Sequence, residues 1–260
     1  MLHETPSAQH PRERVFLYFH GGGYWNPLSP LAHMPVILEC SEALRVGRTF
    51  ILEYGLAPGL QYPGQLYQAA CALNLLLGKL DCQLGDIVIG GDSAGGNLVL
   101  ALIAHMKQPH PLVPAVRSLA GDSKLRGAVL ISPWVSQTNT ATSYAENSAR
   151  DYLTREAMAF FTQQWAPKDE FWADFLKAPA DFWQNIPVKK TLVTVGGFEV
   201  FRDDVQEMAK LMGATAGKSS AVSFVEAPAE VHVHSGVDSA LGLPFCKSFL
   251  EILLWCRDLP

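Results

Sequence analysis

The chain has 260 residues, 48% hydrophobic and 17% charged, enough apolar content for a large buried core and too apolar a balance for disorder. A formal charge of −5, with Lys and Arg scattered rather than clustered, excludes the electrostatic footprint of a nucleic-acid binder. The cysteines form no CxxC pair, no HExxH-type spacing offers a metal site, and no apolar run reaches membrane-spanning length.

The start, MLHETPSAQHPRER, has no apolar core of a signal peptide, so a cytoplasmic, soluble protein without metal or cofactor is expected. The first strand is read at Arg14–Phe19 (RVFLYF), followed by the turn His20–Tyr24 (HGGGY) and a helix over Leu31–Arg45. A strand at Thr49–Tyr54, a helix over Tyr62–Lys79 and a strand at Asp86–Gly90 lead to the glycine cluster GGDSAGGN and a helix over Ala94–Met106. Lys107–Pro114 and the polar Ser118–Lys124 read as a surface connection before the strand Gly127–Ser132.

Ser136–Pro187 breaks the rhythm: it holds no convincing strand and concentrates aromatics, among them Tyr144, Tyr152, Phe160, Phe161, Trp165, Phe171, Trp172, Phe175, Phe182 and Trp183. A loop that long is a functional insertion on physical grounds, and a cap over the site is expected from it. A strand at Thr191–Val195, a helix over Arg202–Met212, a strand at Ala221–Val225 and a helix over Pro244–Arg257 complete the chain. Alternation of short β-rich runs with helices predicts one α/β domain over residues 1–260, its mostly parallel sheet covered on both faces, with 136–187 as a cap within it.

Gly91-Asp92-Ser93-Ala94-Gly95 fits G-x-S-x-G between a strand and a helix, where a sharp turn lifts the serine hydroxyl clear at the C-terminal edge of the sheet. A glycine turn whose serine merely caps the helix is the bland alternative. Serine is a weak nucleophile at neutral pH, so Ser93 requires a base, an acid that orients it, and donors for the oxyanion of a tetrahedral intermediate. Consecutive glycines in HGGGY let backbone N–H groups approach that oxyanion, so the amides of Gly22, Gly23 and Ala94 are the expected oxyanion hole.

HGGGYW, YGLAP and GDSAGGN, in this order and spacing, resemble the hormone-sensitive-lipase-like branch of the α/β-hydrolase family, from about Val15 to the C terminus. The resemblance implies a triad in the order nucleophile, acid, histidine, the acid after the next-to-last strand and the histidine after the last. It puts the acid at Glu199, because the family's acid–x–x–Arg–Asp pattern matches Glu199 to Asp203. Asp203 and Asp204 compete, but both fall in the next helical run, where charges serve its start. It puts the base at His232, in a Glu-x-His arrangement (Glu230 to His232) similar to that of fungal members. His234 would point the other way along an extended loop, and Val233 departs from the small or acidic residue usual after the family histidine. His20, with Gly21, is implied to brace the oxyanion loop, while His3, His10, His33, His105 and His110 are expected to be structural or solvated.

The chain departs from the family at Gly55, which stands where Tyr-Arg-Leu-Ala-Pro has arginine, and in lacking the first two family strands and the early cap helices before HGGG. The strand Thr49–Tyr54 would then have an open edge, so a homodimer is expected there unless residues 2–12 fold across it. The expected function is a serine esterase cleaving an apolar small-molecule ester in a broad apolar pocket, close to fungal secondary-metabolite hydrolases. An acyltransferase or cyclase using the same triad is the alternative, and a non-catalytic binding protein, as in the family's plant hormone receptors, a further one.

Overall fold

A computed structural model describes residues 2–6 (backbone only), 14–80, 82–117, 123–179, 181–214 and 221–260. In chain order the elements are β1 (Leu2–Pro6), β2 (Val15–Phe19), α1 (Pro30–Leu44), β3 (Arg48–Leu52), α2 (Gly64–Lys79), β4 (Ile87–Asp92), α3 (Ala94–Lys107) and β5 (Gly127–Ile131). Then follow α4 (Ser143–Glu146), α5 (Arg155–Trp165), β6 (Thr191–Gly196), α6 (Arg202–Leu211), β7 (Val222–Ala227), α7 (His234–Leu241) and α8 (Lys247–Asp258). Each strand and long helix read from the sequence is present, and β1, α4, α5 and α7 are additions to that reading.

The strands form one sheet in the order β1-β3-β2-β4-β5-β6-β7. From β3 to β7 every pairing is parallel, as helical crossovers require, whereas β1 runs antiparallel to β3 with Leu2 opposite Leu52 and Pro6 opposite Arg48. The edge of β3 expected to be open is therefore taken by residues 2–6 of the same chain, and the sheet has one antiparallel strand ahead of β2 where none was expected. The rest of that tail, residues 7–13 with His10, lies outside the described residues, as does most of the 118–124 connection.

Alternation along β2 divides the core. Val15, Leu17 and Phe19 face the cluster built with α2, α3 and the 136–187 segment, while Phe16 and Tyr18 face α1 and α8 on the other side. Helix α3 is buried along its length from Ala94 to Met106, which explains its nearly unbroken apolar sequence. Helix α1 begins with Ser29, whose Oγ accepts from the Ala32 amide, followed by Pro30 where a missing N–H costs nothing.

Two backbones come very close where the end of β2 meets the start of α3. A Cβ on Gly95 would lie 1.9 Å from the Phe19 carbonyl oxygen, and one on Gly91 would lie 2.5 Å from the Gly95 carbonyl carbon. Neither neighbour is a side chain that can turn aside. Gly95→Ala is therefore expected to cost about 3 kcal/mol or to prevent folding. Gly213→Ala, at φ +73 with nothing within 4 Å, should cost only about 1 kcal/mol of backbone strain. Urea unfolding midpoints check the contrast, and equal losses at the two positions would contradict it.

Candidate active site

Ser93 sits between β4 and α3 at φ 52 and ψ −117, a conformation that L-residues avoid and that neighbouring contacts must enforce. Its N–H donates to the Ile131 carbonyl at 3.0 Å, and its own carbonyl accepts from the amides of Asn97 and Trp134, each at 3.0 Å. The turn is thus tied to β5 and to the first turn of α3, and Ser93 is left 9% exposed.

The HGGGY loop is held beside it. Gly22 and Gly23 have φ 106 and 65, so their amides are presented by a backbone that glycine adopts freely. Asp92 Oδ1 accepts from the Gly21 amide at 3.0 Å and from the Tyr18 hydroxyl at 2.8 Å. The Tyr54 hydroxyl donates to the His20 carbonyl at 2.5 Å, and the His20 ring stacks on the Tyr54 ring at 4.3 Å between centroids. Burial lowers the pKa of His20, favouring the neutral ring, whose Nδ1 donates to the Gly21 carbonyl at 2.7 Å. Tyr24 closes the loop by donating to Asn97 Oδ1 at 2.8 Å, while Asn97 donates to the Trp134 carbonyl at 2.8 Å.

On the far side, the loops after β6 and β7 bring Glu199 and His232 together. His232 Nδ1 donates to Glu199 Oε2 at 2.9 Å, and both side chains are almost fully buried. Glu199 Oε1 accepts from Ser132 Oγ and from the Gly196 amide, each at 2.5 Å. Burial pushes the Glu199 carboxyl above the ordinary range, against the pull of His232, Ser132 and Gly196. Burial also opposes charge on His232, but contact with Glu199 outweighs it and the histidine pKa is raised.

The competing residues take other partners. His234 is the first residue of α7 rather than part of an extended loop, because Val233 turns the chain at φ 43; its Nδ1 accepts from the Val231 amide at 3.2 Å. Asp203 pairs with Arg202 and accepts from the Ser143 amide at 2.8 Å. Asp204 is carried up to about 7, chiefly by burial.

Three groups of this region were not singled out as functional in the sequence. Asp151 accepts from the Val200 amide at 2.8 Å and the His232 amide at 3.2 Å, so one buried carboxylate clamps the loops of Glu199 and His232. Ser132, at φ 47 after β5, also accepts from the Val233 amide at 3.3 Å. His33, expected to be structural or solvated, lies 3.5 Å from Asp92 Oδ2 through Nε2. No local motif marks Asp151 or His33; each meets its partner only through the tertiary fold.

Ser93, His232, Gly22 and Gly23 border one cavity of about 410 Å³. The 136–187 segment contributes Tyr152, Leu153, Met158 and Phe161 to its wall, and α1 and α7 contribute Ala32, His33, Val36, Val237, Ala240 and Leu241. That wall is mostly apolar, but the aromatics of the segment are not mainly its material. Trp165, Phe175, Phe182 and Trp183 are buried in the large core cluster instead. Among the described residues no group of His, Cys, Asp or Glu is arranged to hold a metal, and no helix is long and apolar enough to cross a membrane.

Residues 16–235 match a family described by its α/β hydrolase fold. The chain is 28% identical over 224 residues to an acetyl-hydrolase of Streptomyces hygroscopicus, covering 85% of this chain and 68% of that protein. It is also 28% identical over 221 residues to versiconal hemiacetal acetate esterase of Aspergillus parasiticus, covering 78% of this chain and 62% of that one. The chain thus spans about two thirds or less of the curated relatives it matches. A hormone-sensitive lipase from a metagenome library shares the fold with a TM-score of 0.73 at 24% identity, over 94% of this chain and 76% of its own.

The Asp151 clamp carries a stability expectation. Both its oxygens face backbone N–H groups, so Asp151→Asn turns an amide NH₂ toward one donor and leaves it unmet. A loss of about 1–3 kcal/mol is expected, read from urea unfolding midpoints; an unchanged midpoint would show that the two hydrogen bonds are replaceable.

Proposed function

The chain belongs to the α/β-hydrolase family, and from that premise we propose that it hydrolyses carboxylic esters through an acyl-enzyme on Ser93. The observation that carries this reading is the 2.9 Å contact of His232 Nδ1 with Glu199, on a histidine that borders the same cavity as Ser93. With Nδ1–H committed to the carboxylate, Nε2 is the basic nitrogen and takes the Ser93 proton as Oγ attacks the ester carbonyl. The amides of Gly22, Gly23 and Ala94 receive the oxyanion, and the alcohol leaves with the proton returned from His232. Water then repeats the sequence on the acyl-enzyme and releases the acid.

His20 has no place in proton transfer, because its ring is stacked on Tyr54 and tied to the loop carbonyls. It supports Gly22 and Gly23. The mostly apolar cavity wall favours an apolar ester, and the acetyl and acetate names of two relatives make acetyl esters the first to assay. Leu153, Met158 and Phe161 make the 136–187 segment one wall of a cap over Ser93.

Ser93→Ala should remove labelling by a fluorophosphonate and lower kcat on 4-nitrophenyl acetate by about four orders of magnitude or more, with the fold intact by circular dichroism. His232→Ala should do the same and His234→Ala should leave most of the activity. Near-wild-type turnover by Ser93→Ala would end the proposal.

The pH profile has a defined sign. His232 must be neutral to accept the Ser93 proton and its pKa is raised, so kcat/KM should rise with pH through a midpoint above 6.5. Glu199→Gln removes the carboxylate that raises it, and should move the midpoint down while lowering kcat. A midpoint unaffected by that substitution would place the limb on another group.

A further inference from the structure

Tyr18, His33 and Asp92 border the cavity that holds Ser93, and they give its otherwise aliphatic α1 and α7 side a polar corner. Asp92 is 3% exposed and Tyr18 1%, so neither is a solvated surface group. The two Asp92 oxygens are unequally served. Oδ1 accepts from the Tyr18 hydroxyl at 2.8 Å and the Gly21 amide at 3.0 Å. Oδ2 has His33 Nε2 at 3.5 Å, longer than a well-formed N–H···O hydrogen bond.

The other nitrogen of His33 is turned to the start of α1: Nδ1 lies 2.9 Å from the Ser29 amide and 3.1 Å from the Ser29 carbonyl. Nε2, facing a carboxylate, carries a hydrogen. A buried acceptor with spare capacity and a donor thus stand 3.5 Å apart at the cavity wall. The other residues that α1 and α7 bring to the cavity wall, among them Ala32, Val36, Val237 and Ala240, offer no polar side-chain atom, while the His20 ring lies 5.8 Å from that of His33 between centroids.

A hydroxyl group is complementary to this pair, since its O–H donates to Asp92 Oδ2 and its oxygen accepts from His33 Nε2–H. An ether or ketone only accepts and leaves the carboxylate oxygen unmet. An alkyl group meets neither, and buried polar groups facing it are left poorly served. Resting on the esterase reading above, we infer that the ester turned over at Ser93 carries a hydroxyl close to its scissile carbonyl, seated between Asp92 and His33. Asp92 directly precedes Ser93, and both line the same cavity as His33, which is the ground for placing that hydroxyl near the scissile carbonyl.

Two isosteric pairs of esters test this, one for each side of the carbonyl. Phenyl 3-hydroxybutyrate is compared with phenyl 3-methylbutyrate, and 2-hydroxyethyl butyrate with propyl butyrate, each as a ratio of kcat/KM. The wild-type chain should favour the hydroxylated member of one pair by about tenfold, the factor for roughly 1.4 kcal/mol of hydrogen bonding. His33→Leu should bring that ratio toward one, and His33→Gln, whose amide keeps a donor, should retain part of it. Because each ratio is taken within one variant, a general loss of activity cancels, whereas a purely structural role for His33 would leave the ratio in place. Wild-type turnover of both pairs with no preference for hydroxyl overturns the inference and leaves the esterase reading standing. A preference that survives His33→Leu overturns the seat assigned to it. Failure to turn over any of the four esters, with Ser93 unreactive to a fluorophosphonate, overturns the esterase reading itself and this inference with it.

Discussion

The direct contact of two backbones at Gly95 and Phe19 is the constraint on which the rest of the structure depends. The β2 carbonyl and the start of α3 meet with no room for a side chain, so the loop that follows β2 is set against the turn that follows β4. Those two connections carry Gly22 and Gly23 on one hand and Ser93 on the other. Their spacing is therefore set by main-chain geometry, which is stiffer than side-chain packing and less tolerant of substitution. The unfavourable φ of Ser93 persists because β5, α3 and the segment after β5 each hold its backbone by a hydrogen bond near 3.0 Å.

Buried carboxylates extend that order outward. Asp92 ties the glycine loop to Tyr18 of β2, Glu199 ties the loop after β6 to Ser132 and His232, and Asp151 joins the loops after β6 and β7. Each accepts from two or more donors, the condition under which burying a carboxylate near a cavity is tolerable. Asp92 shows the balance directly: burial pushes its carboxyl up, but His33 and Tyr18 outweigh burial and hold it below the ordinary carboxylate range. The irregular connections around the site are thereby hydrogen-bonded to one another and to the sheet.

How far the sequence could be read follows from where each contact originates. The strands β2 to β7 were legible as short, apolar, partly β-branched runs, and the helices α1, α2, α3, α6 and α8 as longer runs with apolar residues recurring at three and four. The strand β1 was not, since LHETP carries little apolar signal and pairs through its backbone with β3. The short α7 was hidden for a related reason: Val233 adopts a left-handed conformation that nothing in EVHVH announces, and the helix begins at once. Ser93, Gly22 and Gly23 lie in short motifs whose glycines are required by the backbone, so they could be named from local sequence. Glu199 and His232 were reached by resemblance to a family. Asp151 and His33 act through partners far away in the chain, and local patterns hold no trace of such pairs.

The same division separates the reaction from the substrate. The groups assigned to bond making lie at strand ends and glycine turns, where a wrong residue strains the main chain. The cavity wall is drawn from α1, α7 and the 136–187 segment, where the demand on Ala32, Val36, Met158, Phe161 or Val237 is one of shape and polarity alone. Such positions admit substitutions of similar volume at small cost to the fold. Motifs consequently speak to the chemistry of the ester bond, and what surrounds that bond must be read from the few wall residues that break the apolar pattern. In this chain His33 and Asp92 are such wall residues, a polar pair 3.5 Å apart in the cavity that Ser93 borders.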